Sequence, residues 1–352
     1  MVNTGRGDLA PDARAMERLA AEAIQQLSRI EGLSGLVAVS AAMRELMTRL
    51  PTIAASDATV LITGETGTGK ELVARAIHYL GRRASFPFVP VNCGALPDSL
   101  IEAELFGHER GAFTGAEARR VGLLRDAEGG TLCLDEIDGL TTRGQVGLLR
   151  VLQERRFRMV GSNREQPVNS RFIAVTNASL ADLVHRHQFR ADLYYRLCVF
   201  SIHLLPLRER PEDIVPLAEH FLRKHPPTSG TIPALGSSAR DALLAYSWPG
   251  NARELENIVL RAAQLSLTRH IEADDLGLPR GAGAAERVVR SFNEMKRLVI
   301  ERFEHDYLAR LMREHGGNVS SAARAAGKDR RDLHKLLKKY GIDRSLFSRD
   351  AS

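Results

Sequence analysis

The run Gly64-Glu65-Thr66-Gly67-Thr68-Gly69-Lys70 has the G-x-x-x-x-G-K spacing of a phosphate cradle. Its glycines let backbone N–H groups curl round a β-phosphate. The start of the following helix adds positive potential, and Lys70 reaches the β and γ oxygens. The residue after the lysine, where a Ser or Thr hydroxyl usually meets Mg²⁺, is Glu71. The metal must then be held mainly by phosphates, waters and a second acidic element. Thr131-Leu132-Cys133-Leu134-Asp135-Glu136 supplies one: an apolar strand ending in two carboxylates. Asp135 is placed to hold Mg²⁺ through water. Glu136 is placed to orient and deprotonate the water that attacks a γ-phosphate.

These residues need a scaffold that brings strand ends together. Short apolar runs at 59–63, 88–91, 131–134, 171–176 and 199–204 alternate with helical patterns, including 71–80 directly after the cradle. That alternation predicts an α/β domain with a mainly parallel sheet and flanking helices over 34–207. From 208 to 276 the strand runs vanish, and helices separated by Pro and Gly breaks predict an α-helical lid. Residues 277–290 read as a linker, beginning with the flexible Gly277–Ala285. Residues 291–345 read as a small all-α domain. Residues 1–33 read as a helical extension with Met16, Ala20, Ala23, Leu27 and Ile30 on one face, either packed on the next domain or forming a coiled-coil connector. That extension is too short for a sensor domain, so control would come from a separate regulatory protein or from expression, unless the chain is a fragment.

The chain has 352 residues, 44% of them hydrophobic and 26% charged, which excludes wholesale disorder. No apolar run is long enough to span a membrane, and no signal-peptide core is present, so no membrane partner is expected. Cys93, Cys133 and Cys198 are few, odd in number and far apart, which points to a reducing cytoplasm. The formal charge of +6 resides at one end: residues 286–352 carry 16 Lys and Arg against 10 Asp and Glu, and the rest balance. A nucleic-acid partner for the C-terminus follows.

Gly111-Ala112-Phe113-Thr114-Gly115-Ala116, within Glu104–Ala116, has glycines at both ends and an aromatic near its apex. Such a tip reads as a mobile loop whose Phe113 and Thr114 meet a partner. With the phosphate cradle and the acidic strand end, this hexapeptide makes the chain resemble the bacterial enhancer-binding proteins, AAA+ activators of RNA polymerase carrying sigma-54. The resemblance implies that residues 111–116 contact sigma-54, moving with the nucleotide state, and that 157–170 forms a second loop turning at Gly161-Ser162-Asn163. It implies that Asn92 is a switch linking Glu136 to loop position and that Asn177 senses the γ-phosphate. Arg190 and Arg196, in Phe189–Leu197, become candidate arginine fingers donated to a neighbour, so a head-to-tail ring, a hexamer, is expected. Trp248–Leu255 resembles the lid's nucleotide-sensing motif, with Arg253 on the nucleotide and Trp248 in the lid core. His185 and His187 read as surface histidines without a third metal ligand.

At the C-terminus a helix over 291–314 precedes Gly316-Gly317. Asn318 caps a helix at 319–326, a turn follows at Gly327-Lys328, and Asp329 caps a basic helix at 330–340. This is helix-turn-helix grammar, with Arg330, Arg331, His334, Lys335, Lys338 and Lys339 on the last helix. It resembles a Fis-type DNA-binding domain, though Asp332 departs from the usual run and would repel phosphate if it faced the groove. The expected function is sigma-54-dependent activation: ATP and Mg²⁺ drive a ring that remodels the closed promoter complex while bound to enhancer DNA. A DNA-binding repressor whose ATPase only gates oligomerisation, and an ATPase remodelling some other target, stand as alternatives.

Overall fold

The structure, a computed structural model, describes residues 25, 27, 36–95, 100–113, 115–227, 231–266, 270–278, 304, 307–308 and 310–339. Apart from residues 25, 27, 277 and 278, the predicted N-terminal extension and linker lie outside the described residues, as do most of the helix at 291–314 and Thr114. The chain divides into two compact units, residues 1–283 and 284–352.

The first unit is built on five parallel strands: β1 (Val60–Gly64), β2 (Phe88–Asn92), β3 (Thr131–Asp135), β4 (Arg171–Thr176) and β5 (Phe200–Leu204). Their order across the sheet is β2-β3-β4-β1-β5. β4 is buried at every position, as a central parallel strand covered on both faces must be. The flanking helices are α1 (Ala41–Ala55), α2 (Lys70–Tyr79), α3 (Ile101–Phe106), α4 (Thr142–Glu154), α5 (Leu180–His185) and α6 (Ala191–Leu197). Two apolar clusters cover the sheet: one holds Leu61, Leu132, Leu134, Phe172 and Ala174, the other Val60, Ile62, Cys133, Ile173 and Val175. Alternate residues of each strand thus serve opposite faces. The parallel sheet with flanking helices is as predicted. Because the strands are parallel, Gly64 and Asp135 both end at the C-terminal edge, separated by the single strand β4.

Three further helices, α7 (Ile214–Lys224), α8 (Ser237–Ala245) and α9 (Asn251–Leu265), enclose their own core. Trp248 is fully buried there, and its indole N–H donates to Leu243 O at 2.8 Å. Arg171, only 2% exposed, donates to the last carbonyls of α1, Ile53 and Ala54, and burial lowers its pKa to about 10.

In the second unit α10 (Val319–Ala325) is capped by Asn318, whose side chain accepts from the Ser320 and Ser321 N–H groups. The Arg331 N–H donates to Asp329 Oδ1 at the start of α11 (Arg330–Lys339). Both caps fall where the sequence placed them. Leu333 and Leu337 bury one face of α11 against Val319, Ala322 and Met312.

Replacing Trp248 with Ala should remove about 3–5 kcal/mol from the lid core and strand the Leu243 carbonyl. Circular dichroism during urea unfolding would then show an earlier transition. An unchanged midpoint would mean that Trp248 does not support the lid.

Candidate functional site

A cavity of about 330 Å³ lies between the C-terminal sheet edge and the lid. Thr66, Gly67, Thr68, Gly69, Lys70 and Glu71 line it on one side, Asp135, Glu136 and Asn177 on another, and Arg253 from α9 on a third. These ten residues, scattered over the sequence, are thus brought together by strand and helix ends. Lys70 Nζ donates to the carbonyls of Gly64 (2.8 Å) and Glu65 (2.9 Å), bonds it can exchange for phosphate oxygens. Burial lowers the Lys70 pKa, opposed by the facing Asp135 carboxylate. Burial in turn raises the Asp135 pKa, against the Glu136 N–H that donates to Asp135 Oδ1. Asn177 Nδ2 donates to Thr66 Oγ1 at 3.0 Å, tying the end of β4 to the cradle.

Glu136 follows β3 in a left-handed conformation, φ 51°. Its carboxylate lies against Gly94, where a Cβ would come within 2.5 Å of Glu136 Oε2 and push that carboxylate aside. Asn92 sits beside it, yet no hydrogen bond joins the two among the described residues. Asn92 Oδ1 instead accepts from the Gly94 and Ala95 N–H groups at 2.8 and 2.9 Å.

The carboxylates offer hard oxygen donors, which suit Mg²⁺. Glu71 is turned outward, its Oε1 2.9 Å from Arg75 on the next turn of α2. Asp135 and Glu136 are therefore the protein oxygens that fit a metal between phosphate and sheet.

The polar bonds that join the cradle to the lid were not foreseen from the sequence. Glu65, inside the cradle, is gripped by Arg208 through two hydrogen bonds of 2.6 and 2.8 Å and by Asn251 Nδ2 at 3.1 Å. These bonds, the arginine's first, hold the Glu65 carboxyl at about 2. Asn251 also donates to Thr66 O and accepts from Leu207 N–H. Ala252 N–H donates to Gly67 O, and Arg210 donates to Thr68 O. The lid approaches so closely that a Cβ on Gly67 would meet Gly250 O at 2.3 Å, and Gly67 itself has φ 81°. The signal that could have been read was Arg208-x-Arg210, two cations at the very start of the lid.

Arg190 and Arg196 are absent from this cavity. Arg190 pairs with Asp192 at 2.7 Å, and Arg196 donates to Leu152 O. Both are exposed. Within one chain, neither candidate finger reaches the cradle.

The hexapeptide loop closes on itself: Gly111 N–H donates to Ala116 O, and Ala116 N–H donates to Phe113 O. Gly111 and Gly115 have φ of 79° and 102°. Phe113, expected to meet a partner, is half-buried here, its ring packed edge-on against His108 with 5.0 Å between centroids. The second loop forms a hairpin, Arg156–Arg158 against Glu165–Pro167. It grips the base of the first, Glu109 N–H donating to Val160 O and Val160 N–H to Gly107 O.

On α11, Arg331, Lys335 and Lys338 project from the side opposite buried Leu333 and Leu337 at 100° per residue, with Arg330, His334 and Asp332 exposed at its margins. Lys339 leans back to Glu304 at 3.7 Å. His185 and His187 recruit no further ligand: no group of three or more metal-binding side chains occurs among the described residues.

Asn251 is fully buried, and Asn251→Ala would leave Leu207 N–H and Thr66 O without partners at a cost of about 2–3 kcal/mol. The cradle should slacken, so the affinity for ATP, read by titration with a fluorescent analogue, should fall at least about ten-fold. Wild-type affinity in a folded variant would exclude the lid from holding the cradle.

Comparison with known proteins matches three consecutive regions. Residues 36–203 match the Sigma-54 interaction domain, 208–286 the AAA+ ATPase lid domain, and 299–340 the Fis family of bacterial regulatory proteins. The transcriptional regulatory protein GlrR of Escherichia coli K12 is 43% identical over 316 residues, 89% of this chain and 69% of GlrR. The sigma54-dependent transcriptional activator SfnR of Pseudomonas putida is 48% identical over 262 residues, 71% of this chain and 72% of SfnR. Among solved structures, NtrX from Brucella abortus in complex with ADP is 34% identical with a TM-score of 0.64, covering 94% of this chain and 74% of NtrX. With a nucleotide cradle, a lid and a helix-turn-helix in one chain, the protein belongs to the sigma-54-dependent transcriptional activators, as an AAA+ ATPase with a Fis-type DNA-binding domain.

Proposed function

We propose that the chain hydrolyses ATP within a hexameric ring of its own copies and uses the energy to convert the closed sigma-54 polymerase complex into an open one. The observation that carries this reading is the opposition of Lys70 to Asp135 and Glu136 across one cavity from which Arg190 and Arg196 are missing. An arginine exposed outside its own cavity can complete a neighbour's site in a head-to-tail hexamer.

In that cycle the N–H groups and Lys70 of residues 64–70 bind and orient the phosphates. Asp135 would hold Mg²⁺ through water, a cation that neutralises phosphate charge when bound. Glu136 takes the proton of the attacking water. Asn177, already bonded to the cradle, positions that water or the γ-phosphate, and Arg253 reaches the phosphates from the lid. Arg190 and Arg196 of the adjacent copy stabilise charge on the transferring group, at the expense of the Asp192 pair. Asn92 Nδ2, without a hydrogen bond among the described residues, is free to engage Glu136 and link it to the loop segment. Release of Phe113 from His108 would present Gly111–Ala116 to sigma-54. Arg330, Arg331, His334, Lys335 and Lys338 would contact enhancer DNA, with a separate regulatory protein as a source of control and the cytoplasm as the setting.

Glu136→Gln should retain ATP binding but lower steady-state turnover at least about 10²-fold. Turnover close to wild type would remove Glu136 from its role. Phe113→Ala and Thr114→Ala should abolish capture of sigma-54 in the presence of ADP–aluminium fluoride and open-complex formation, with ATP turnover lowered no more than a few-fold. Promoter melting at the wild-type rate by both variants would favour the nucleotide-gated repressor instead.

A further inference from the structure

The nucleotide cavity extends beyond the groups that handle phosphate. Leu36, Val37, Leu217 and Phe221 give it an apolar wall suited to a flat base. Glu256 and Lys224 line the same cavity, and neither has a part in the chemistry described above. Glu256 Oε1 accepts from Lys224 Nζ and from His225 Nε2, each at 3.0 Å. Glu256 Oε2 accepts from none of the described residues. One oxygen is anchored and the other is left for a donor.

The position of Glu256 along α9 identifies that donor. The helix begins on the cradle, where Asn251 and Ala252 bond the Thr66 and Gly67 carbonyls. Arg253 follows, and Glu256 lies three residues on, on the same face and about 4.5 Å further from the cradle at 1.5 Å per residue. A nucleotide with its phosphates at Lys70 and Arg253 and its base on the apolar wall has its ribose between the two. Ribose offers two hydroxyl donors there.

We propose that Glu256 is a ribose-binding residue whose free oxygen accepts from the 2′- and 3′-hydroxyls, so that the protein selects ribonucleotides over 2′-deoxyribonucleotides. Lys224 and His225 position it: they fix the carboxylate rotamer, and Lys224 offsets a negative charge that would otherwise oppose the nearby triphosphate. Burial works to raise the Glu256 carboxyl, but the bonds from Lys224 and His225 prevail and keep it below its ordinary value. A charged acceptor makes the stronger bond to a hydroxyl. The inference rests on the assignment of this cavity to ATP.

The test compares KM for ATP and dATP in the whole 352-residue chain, with Lys70→Ala as the control for the site itself. Loss of turnover in Lys70→Ala establishes that the cavity is the ATPase site, whatever the outcome with ribose. The wild type should then show a KM for dATP about ten-fold above that for ATP, the order expected for one hydrogen bond to a charged acceptor. Glu256→Ala should raise KM for ATP to the level of dATP and so abolish the ratio. The near-isosteric Glu256→Gln, which keeps the packing, should reduce it. Equal KM values in the wild type, or an intact ratio in folded Glu256→Gln and Glu256→Ala, would overturn the proposal. So would a Lys224→Ala variant that raises both KM values while Glu256→Ala leaves the ratio intact, because that end of the cavity would then bind phosphate.

Discussion

A loop that turns its N–H groups inward to a phosphate must turn its carbonyls outward, and those carbonyls need donors of their own. Here the lid and the segment leading to it supply them. The Asn251 amide serves Thr66, the Ala252 N–H serves Gly67, and the Arg210 guanidinium serves Thr68. Arg210 lies 3.9 Å from Asp213, which in turn accepts from the Val39 and Ser40 N–H groups and the Ser40 hydroxyl. Cradle, lid entry and the chain before α1 are therefore joined by one buried set of polar bonds. The nucleotide site is shaped from outside as much as from within.

The same arrangement settles the charge of the site. Glu65 would be an unwelcome anion beside a triphosphate, and the two-bond grip of Arg208 neutralises it locally while tying the cradle to the lid. Lys70 and Asp135 each lose hydration on burial, and their mutual attraction favours the charged form of both. The cavity receives Arg253 from the lid, but Arg190 and Arg196 are paired outside it. In the proposed ring, those two arginines would serve a neighbour's cavity in place of their own.

The loop residues show a comparable restraint. Gly111 and Gly115 permit a tight tip, but Phe113 rests on His108, and the hairpin at 156–167 is bonded to the loop's base. A displacement of either loop must be accommodated by the other. On α11 the basic side chains divide by geometry: Arg331, Lys335 and Lys338 lie opposite the buried leucines, whereas Lys339 is drawn to Glu304.

Much of this was legible in the residues alone. Gly64–Lys70, Asp135-Glu136 and the hexapeptide are local patterns whose chemistry needs those residue types in that order, and the caps Asn318 and Asp329 act within their own turns. Strand and helix positions followed from apolar periodicity, which burial enforces residue by residue. The sequence by itself thus determined the phosphate chemistry, the alternating α/β scaffold and the helix-turn-helix. Only the tertiary structure decided that Arg208, Arg210 and Asn251 complete the cradle, that Glu256 enters the cavity, that Arg190 and Arg196 do not, and that Phe113 lies against His108. Those are contacts between residues far apart in the chain, and they depend on the angle at which the lid meets the sheet edge. No local spacing encodes that angle; it emerges when separately formed apolar cores pack and leave particular polar groups facing one another.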